Sequence, residues 1–162
     1  MHGGAGGIGS TAIQLGAAFG LRMFTTVAAD DVPFVTELGA DHAIDFTTED
    51  FVPILREAGG ADVILDIIGG DYVARNIKAA RHDARLIQLA FNHGSKLEID
   101  LMPIMLKRLS YTGSTLRSRP DAFKTAVAQD LRKNVWPRFA EGTLRAVTHT
   151  VLPLEDLSLI HI

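Results

Sequence analysis

The chain has 162 residues, 16 of them Lys or Arg against 19 Asp or Glu, with 47% hydrophobic residues and no cysteine. That length suits one domain with a substantial core, and a net charge of -3 without a basic run excludes nucleic acid or an anionic membrane surface as the main partner. The lack of cysteine rules out disulfides, thiolate zinc sites and Cys nucleophiles, no apolar stretch approaches the ~18 residues of a membrane span, and no secretory leader opens the sequence, so the expectation is a soluble, cytoplasmic protein.

Short β-branched or apolar runs alternate with longer helical patterns, which predicts an α/β fold with a Rossmann-type, doubly wound parallel sheet. In chain order the pattern gives a helix over 10–19, a strand over 21–27 (LRMFTTV), a helix over 32–38 and a strand over 42–45 (HAID). A helix over 50–57, a strand over 63–68 (VILDII), a helix over 71–80 and a strand over 86–90 (LIQLA) follow. The last predicted elements are a short helix near 102–107, a strand over 111–116 (YTGSTL) and a long helix from about 121 to 135. The runs at 63–68 and 86–90 are apolar almost throughout, as expected of strands covered on both faces. Asp121, after Pro120, is the expected N-cap of the long helix, and Pro137 its stop. Gly39, Gly59, Gly60, Gly69, Gly70 and Gly113 punctuate the connections. With no repeat, low-complexity tract or linker, the chain reads as one domain.

The strongest motif lies at the start. Gly4-Ala5-Gly6-Gly7-Ile8-Gly9 satisfies G-x-G-x-x-G, and a helical segment follows at once. Such glycines allow a tight turn, close backbone approach to a pyrophosphate and close packing of helix on strand. The helix start then offers unpaired N–H groups and a partial positive charge. Asp30 lies 21 residues beyond Gly9, where an acidic residue receives ribose hydroxyls in dinucleotide-binding folds. A Gly-rich turn that merely connects two elements is the bland alternative.

The fingerprint should follow a strand, yet only Met1, His2 and Gly3 precede it. In a doubly wound sheet that strand is central, and its loss would remove about four buried aliphatic side chains, roughly 6–12 kcal/mol, which rivals the ~5–15 kcal/mol stability of a typical domain. The sheet is therefore expected to lack its first strand, and the chain to be a fragment.

The strings HGGAGGIGSTAIQL, ELGADHAIDF, DVILDIIGGDYVARN, DLMPIMLKRLSYTGSTLRSR and VWPRFAEGTLRAV resemble the nucleotide-binding half of zinc-independent medium-chain dehydrogenases/reductases, in the NADPH:quinone oxidoreductase (zeta-crystallin-like) group. The resemblance runs from about His2 to Asp156. It implies a partial dinucleotide-binding domain over 1–157, with the GroES-like catalytic domain absent, a strand near 148–152, and a tail over 158–162 that departs from the family pattern and reads as non-native. It implies hydride transfer from NADPH to a quinone or conjugated carbonyl, without metal. The backbone around Gly6, Gly7, Ile8 and Gly9 would face the pyrophosphate. The strand ends at Ile68 and Gly69, at Ala90, Phe91 and Asn92, and from Ser114 to Leu116 would lie along adenosine and nicotinamide. The edge strand over 111–116 implies homodimerisation. The resemblance nominates no general acid.

Two departures bear on the cofactor. Relatives have Ser-x-x-Lys after the strand that corresponds to 21–27, whereas this chain has Ala28-Ala29-Asp30-Asp31-Val32-Pro33, and Phe46 stands where they have Tyr. Carboxylates repel a 2′-phosphate but accept from a ribose hydroxyl. NADP(H) leads on family grounds and NAD(H) remains the alternative.

The GAGGIG string also resembles short-chain dehydrogenases, which need Tyr with Lys four residues later. Asn76 follows Tyr72 and Thr115 follows Tyr111 at that spacing, so that reading fails. His2, His42, His82, His93, His149 and His161 include no pair at close ligand spacing and are each read as turn or surface residues. Asp66 fits a cofactor-site residue or a hydrogen-bonded structural carboxylate equally. Met102, Met105 and Leu106 are read as core ahead of a substrate box, and Arg117 and Arg119 as solvated loop residues ahead of phosphate ligands. A reading from a different class stays open: a non-catalytic truncated cofactor-binding or dimerisation module.

Overall fold

In the computed structural model, which describes residues 1–156, helices and parallel strands alternate. Helix α1 (Gly7–Ala18), strand β1 (Phe24–Val27), helix α2 (Val32–Glu37), strand β2 (His42–Asp45), helix α3 (Phe51–Glu57) and strand β3 (Ala61–Asp66) come first. They are followed by α4 (Asp71–Ala79), β4 (Ala80–Gln88), α5 (Met102–Lys107), β5 (Ser110–Gly113), α6 (Asp121–Asn134) and α7 (Trp136–Ala140). The bounds of β2 and α5 match the sequence pattern.

All pairings are parallel. β1 pairs with β2, and β3–β4–β5 form a second ladder. Residues 1–3 join the two. Met1 N donates to Phe24 O at 2.8 Å and Thr26 N to Met1 O at 3.2 Å, while His2 N donates across to Leu65 O at 3.1 Å. One short extended segment thus stands in the central position, between β1 and β3, and the α/β, Rossmann-type expectation holds.

Strand alternation sets helices on both faces. Ala43 packs with Ile13, Val27, Val35 and Leu38 beside α1 and α2. Its neighbour Ile44 points to the opposite face, among Phe51, Val52, Leu55 and Tyr72 of α3 and α4. A third cluster joins Ile64 and Leu86 of β3 and β4 to Val73 and Ile77 of α4. Ile13 is fully buried, so Ile13→Ala is expected to cost about 3 kcal/mol through lost transfer energy and a residual cavity; urea unfolding measures it, and a loss under about 1 kcal/mol would show that α1 does not anchor this face.

Several expectations need correcting. β1 starts at Phe24 rather than at residue 21, because Leu21 N closes the α1 end on Gly16 O and Met23 N is taken by the Asp41 carboxylate. β4 starts at Ala80, since α4 runs into it with no intervening loop. The Lys107 ammonium caps that junction, donating to the carbonyls of Ile77, Lys78 and Ala80 at 2.7–3.0 Å. Pro120, not Asp121, is the N-cap of α6, and Asp121 opens the helix. The long helix does end before Pro137, at Asn134, and a further short helix, α7, opens at Trp136 with Pro137 in its first turn. Residues 145–153 form no strand. Met102, Met105 and Leu106 are exposed, Met105 by 66%, because α5 covers the sheet with Ile104 and turns this stripe outward. The tail at 158–162 lies outside the described residues.

Candidate dinucleotide site

Every strand ends at the same sheet edge, and the Gly-rich turn lies there, between residues 1–3 and α1. Gly3 N and Gly4 N both donate to Thr26 O, and Gly6 N turns back to Gly3 O. Ser10 N is the first to bond within the helix, to Gly6 O at 2.8 Å. Among the described residues the N–H groups of Gly7, Ile8 and Gly9 therefore have no backbone acceptor at the helix start, where the helix dipole favours an anion.

The glycines divide their work. A Cβ on Gly9 would meet Gly3 O and come within 2.6 Å of Gly4 Cα; one on Gly4 would meet Thr25 Oγ1. These two let the helix close on the strand. A Cβ on Gly7 would meet nothing within 4 Å, and one on Gly6 only Gly3 O at 3.6 Å. Gly6, Gly7 and Ile8 are exposed, so backbone is presented to whatever lies on the edge. The cradle fits a pyrophosphate.

Asp30 is exposed in a short 3-10 turn (Ala29–Asp31) directly after β1, at the same edge. Ile68 and Gly69 follow β3, and the loop after β4 is tied to them: Asn92 N donates to Ile67 O, His93 N to Ile68 O and Gly70 N to Gly94 O. Phe91 is half-exposed against Gly69, where a Cβ would lie 2.7 Å from the Phe91 ring. Ala90 is bonded through its carbonyl to the Gln88 amide. Ser114 N joins the group through Gln88 O at 3.0 Å. Leu116 is exposed just beyond it. The edge thus gathers Gly4–Gly9, Ile68, Gly69, Ala90, Phe91, Asn92 and Ser114, while Asp30 and Leu116 flank it.

Beneath the edge runs a buried polar network. Asp66 accepts from Ile68 N at 2.6 Å, Gly69 N at 3.1 Å and Asn76 Nδ2 at 3.0 Å. It is the structural carboxylate of the two readings, and it fixes the turn after β3. Asn76 Oδ1 in turn accepts from His2 Nε2 at 2.7 Å, which leaves His2 Nδ1 to accept from the Thr26 hydroxyl at 3.0 Å and fixes the neutral tautomer. His2 is 3% exposed and packs edge-on against Tyr72. Burial, then the Met1 amino group, push its pKa down to about 3. This corrects the surface reading of His2. Gln88 completes the layer, donating to Asp66 O and accepting from Tyr111 Oη at 2.8 Å. Of the other histidines within the described residues, His42, His82, His93 and His149 are exposed. Arg119 stacks over Phe123.

Among the described residues no three His, Cys, Asp or Glu side chains converge, and the chain lacks cysteine, so these residues do not fit a zinc centre. No helix of the described residues is long and apolar enough to cross a membrane.

The geometry agrees with the comparisons to known proteins. A family model described as zinc-binding dehydrogenase matches residues 7–131. The quinone oxidoreductase of Sus scrofa is 25% identical over 167 residues, covering 99% of this chain and 48% of that protein. A 2-haloacrylate reductase from Burkholderia is 24% identical over 169 residues, covering 99% of this chain and 50% of that protein. A crystal structure of 2-haloacrylate reductase superposes with a TM-score of 0.83 at 22% identity, over 99% of this chain and 51% of the other. The quinone oxidoreductase of Thermus thermophilus, known also as its NADPH complex, superposes at 0.82 with 24% identity, over 98% and 50%. The chain spans about half the length, or less, of the curated relatives it matches. The Gly-rich helix start, the parallel sheet and the matched family model lead to one conclusion: the chain belongs to the zinc-binding dehydrogenase family.

Proposed function

We propose that this chain binds a nicotinamide dinucleotide along its carboxyl edge and forms the cofactor half of a reductase that passes hydride from NADPH to a quinone or conjugated carbonyl. The observation that carries the reading is the set of free N–H groups at Gly7, Ile8 and Gly9, held at the carboxyl edge where a doubly wound sheet binds ligands. A bound nicotinamide supplies the hydride. This chain's residues do the rest: the Gly-rich turn holds the diphosphate, the turn at Ile68 and Gly69 with Phe91, Asn92 and Ser114 supports the nucleoside ends, and Ile8 and Leu116 offer apolar cover against water. The NADPH-bound structures among its relatives support NADP(H). Asp30 and Asp31, with no Lys beside them in the sequence, favour NAD(H) instead, because a carboxylate repels a 2′-phosphate. Homodimerisation through β5 is part of the proposal: among the described residues β5 pairs only with β4, and all four of its residues are exposed, the arrangement that strand pairing between subunits uses.

Titration of the chain with NADPH and with NADH, followed by nicotinamide fluorescence, tests the reading. Saturable binding is expected, and Gly6→Ala is expected to weaken it at least tenfold while leaving the melting temperature unchanged, since its methyl has room in the free protein. A well-folded chain that binds neither dinucleotide overturns the proposal. Binding without reduction of any quinone or enone favours the non-catalytic module. A preference for NADH assigns the ribose to Asp30 or Asp31.

A further inference from the structure

One residue ties together the ends of all three strands of the β3–β4–β5 ladder. Gln88 closes β4 and is 4% exposed. Its Nε2 donates to Asp66 O at the end of β3, at 3.3 Å, and to Ala90 O in the loop after β4, at 2.5 Å. Its Oε1 accepts from the Tyr111 hydroxyl of β5 at 2.8 Å, and its main-chain carbonyl accepts from Ser114 N at 3.0 Å. The two ends of the amide are not interchangeable. Two carbonyls require the NH2 on one side, and the Tyr111 hydroxyl gives its proton to the oxygen on the other. Burial, then the charge of Asp66, raise the Tyr111 pKa, so the hydroxyl keeps that proton. Among the described residues no backbone hydrogen bond holds Ala90. The near end of the loop that carries Phe91 and Asn92 therefore rests on the Gln88 amide, while its far end is tied through Asn92 N and His93 N to Ile67 O and Ile68 O.

We propose that Gln88 and Tyr111 are positioning residues for the nicotinamide wing of the dinucleotide: the Tyr111 hydroxyl orients the Gln88 amide, and the amide holds the loop from Ala90 to Asn92 in place beneath that wing. The inference rests on the proposed dinucleotide reading and adds which buried side chains set one wing and leave the other alone. The two wings separate along the sheet. Residues 1–3 lie between β1 and β3, so the Gly-rich turn that follows them sits at the middle of the edge. In such folds an acidic residue about 20 positions on takes the adenosine ribose, which puts adenosine on the β1 side, with Asp30. The nicotinamide then extends the other way, over the ends of β3, β4 and β5, the three that Gln88 ties. Both residues act through the loop, from below. Without the hydroxyl the Gln88 oxygen loses its donor, and the amide loses the constraint that keeps its NH2 on the two carbonyls.

The test compares the full 162-residue chain with Tyr111→Phe and Gln88→Leu by calorimetric titration with NADPH, NADH and ADP-ribose, which keeps adenosine and diphosphate but has no nicotinamide. Tyr111→Phe is expected to weaken binding of both dinucleotides about fivefold, and Gln88→Leu about tenfold, as loss of one and of several hydrogen bonds implies. Affinity for ADP-ribose is expected to change by less than about twofold in either variant, because its contacts lie away from the loop. In the free chain, amide exchange at Asn92 and His93 is expected to quicken severalfold while Ser10, at the start of α1, is unchanged. Should Gln88→Leu fail to fold, Tyr111→Phe decides alone, since its ring stays and one exposed-strand hydroxyl goes. Variants that bind the dinucleotides as the parent does overturn the inference, and so does an equal loss for ADP-ribose, which marks a general loosening of the fold. A parent that holds ADP-ribose as tightly as NADH has no nicotinamide wing to position, and that overturns it too. A folded parent that binds none of the three overturns the dinucleotide reading itself and this inference with it.

Discussion

Replacing Gly9 by Ala is expected to abolish dinucleotide binding and to destabilise the chain, whereas Gly7→Ala is expected to stabilise it. The added methyl at position 9 has backbone on its far side, Gly3 O and Gly4 Cα at 2.6 Å, and backbone cannot rotate away as a side chain does. α1 must tilt off the sheet, at a cost near the upper end of the ~1–3 kcal/mol typical of overpacking. The same tilt displaces the three free N–H groups, and losing about 3 kcal/mol of their interaction would weaken binding more than 100-fold. At position 7 the methyl meets nothing, so helix propensity alone acts and gains ~0.5–1 kcal/mol. Thermal unfolding and fluorescence titration of both variants check the pair. Equal behaviour of the two would mean that close packing of α1 on the strand is not what shapes the turn.

Stability is expected to fall steeply as pH drops from about 6.5 to about 4, and His2 is the reason. Its pKa is pushed down to about 3 by burial, while in the unfolded chain it titrates near 6.5. Between these values the unfolded state binds the extra proton, so stability rises with pH and is lost on acidification. At ~1.4 kcal/mol per unit this amounts to about 3 kcal/mol by pH 4. The surroundings explain the direction. Arg75 lies over the Tyr72 and Phe51 rings that flank His2, the Met1 amino group is on the preceding residue, and Asp66 reaches the imidazole only through Asn76. His2→Gln keeps a donor and an acceptor but does not titrate. Urea unfolding of both proteins across this range is expected to show a shallower pH dependence in the variant by about 3 kcal/mol. Parallel curves would mean that buried carboxylates carry the acid sensitivity instead.

Much of the architecture was legible because its signals are local. Alternating HAID between turn residues and the Pro at the start of MPIMLK mark β2 and α5 with correct bounds. The Gly-rich spacing located the turn, since a turn of that shape depends on a few adjacent residues, but α1 opens at Gly7 rather than at residue 10 because the glycines themselves form its first turn. What escaped was non-local. The start of β4 carries no turn residue to announce it, because Lys107, nearly thirty residues on, supplies the cap that a loop would have supplied. His2 stands in no periodic pattern, and its burial depends on Thr26 and Asn76, far along the chain. Met102, Met105 and Leu106 have helical spacing, but spacing shows only that they share a face, and that face has no neighbour among the described residues. The strand at 148–152 was implied by the family resemblance alone, and the described residues there form none.

The carboxylate of Asp66 has a further effect through the two N–H groups it occupies. By claiming those of Ile68 and Gly69, it removes two backbone donors from the rim above β3, so among the described residues the unbonded N–H groups of Gly7, Ile8 and Gly9 stand apart at the middle of the crest, where α1 begins. On the proposed reading the anionic middle of a dinucleotide has its berth there, set apart by a residue that never touches it.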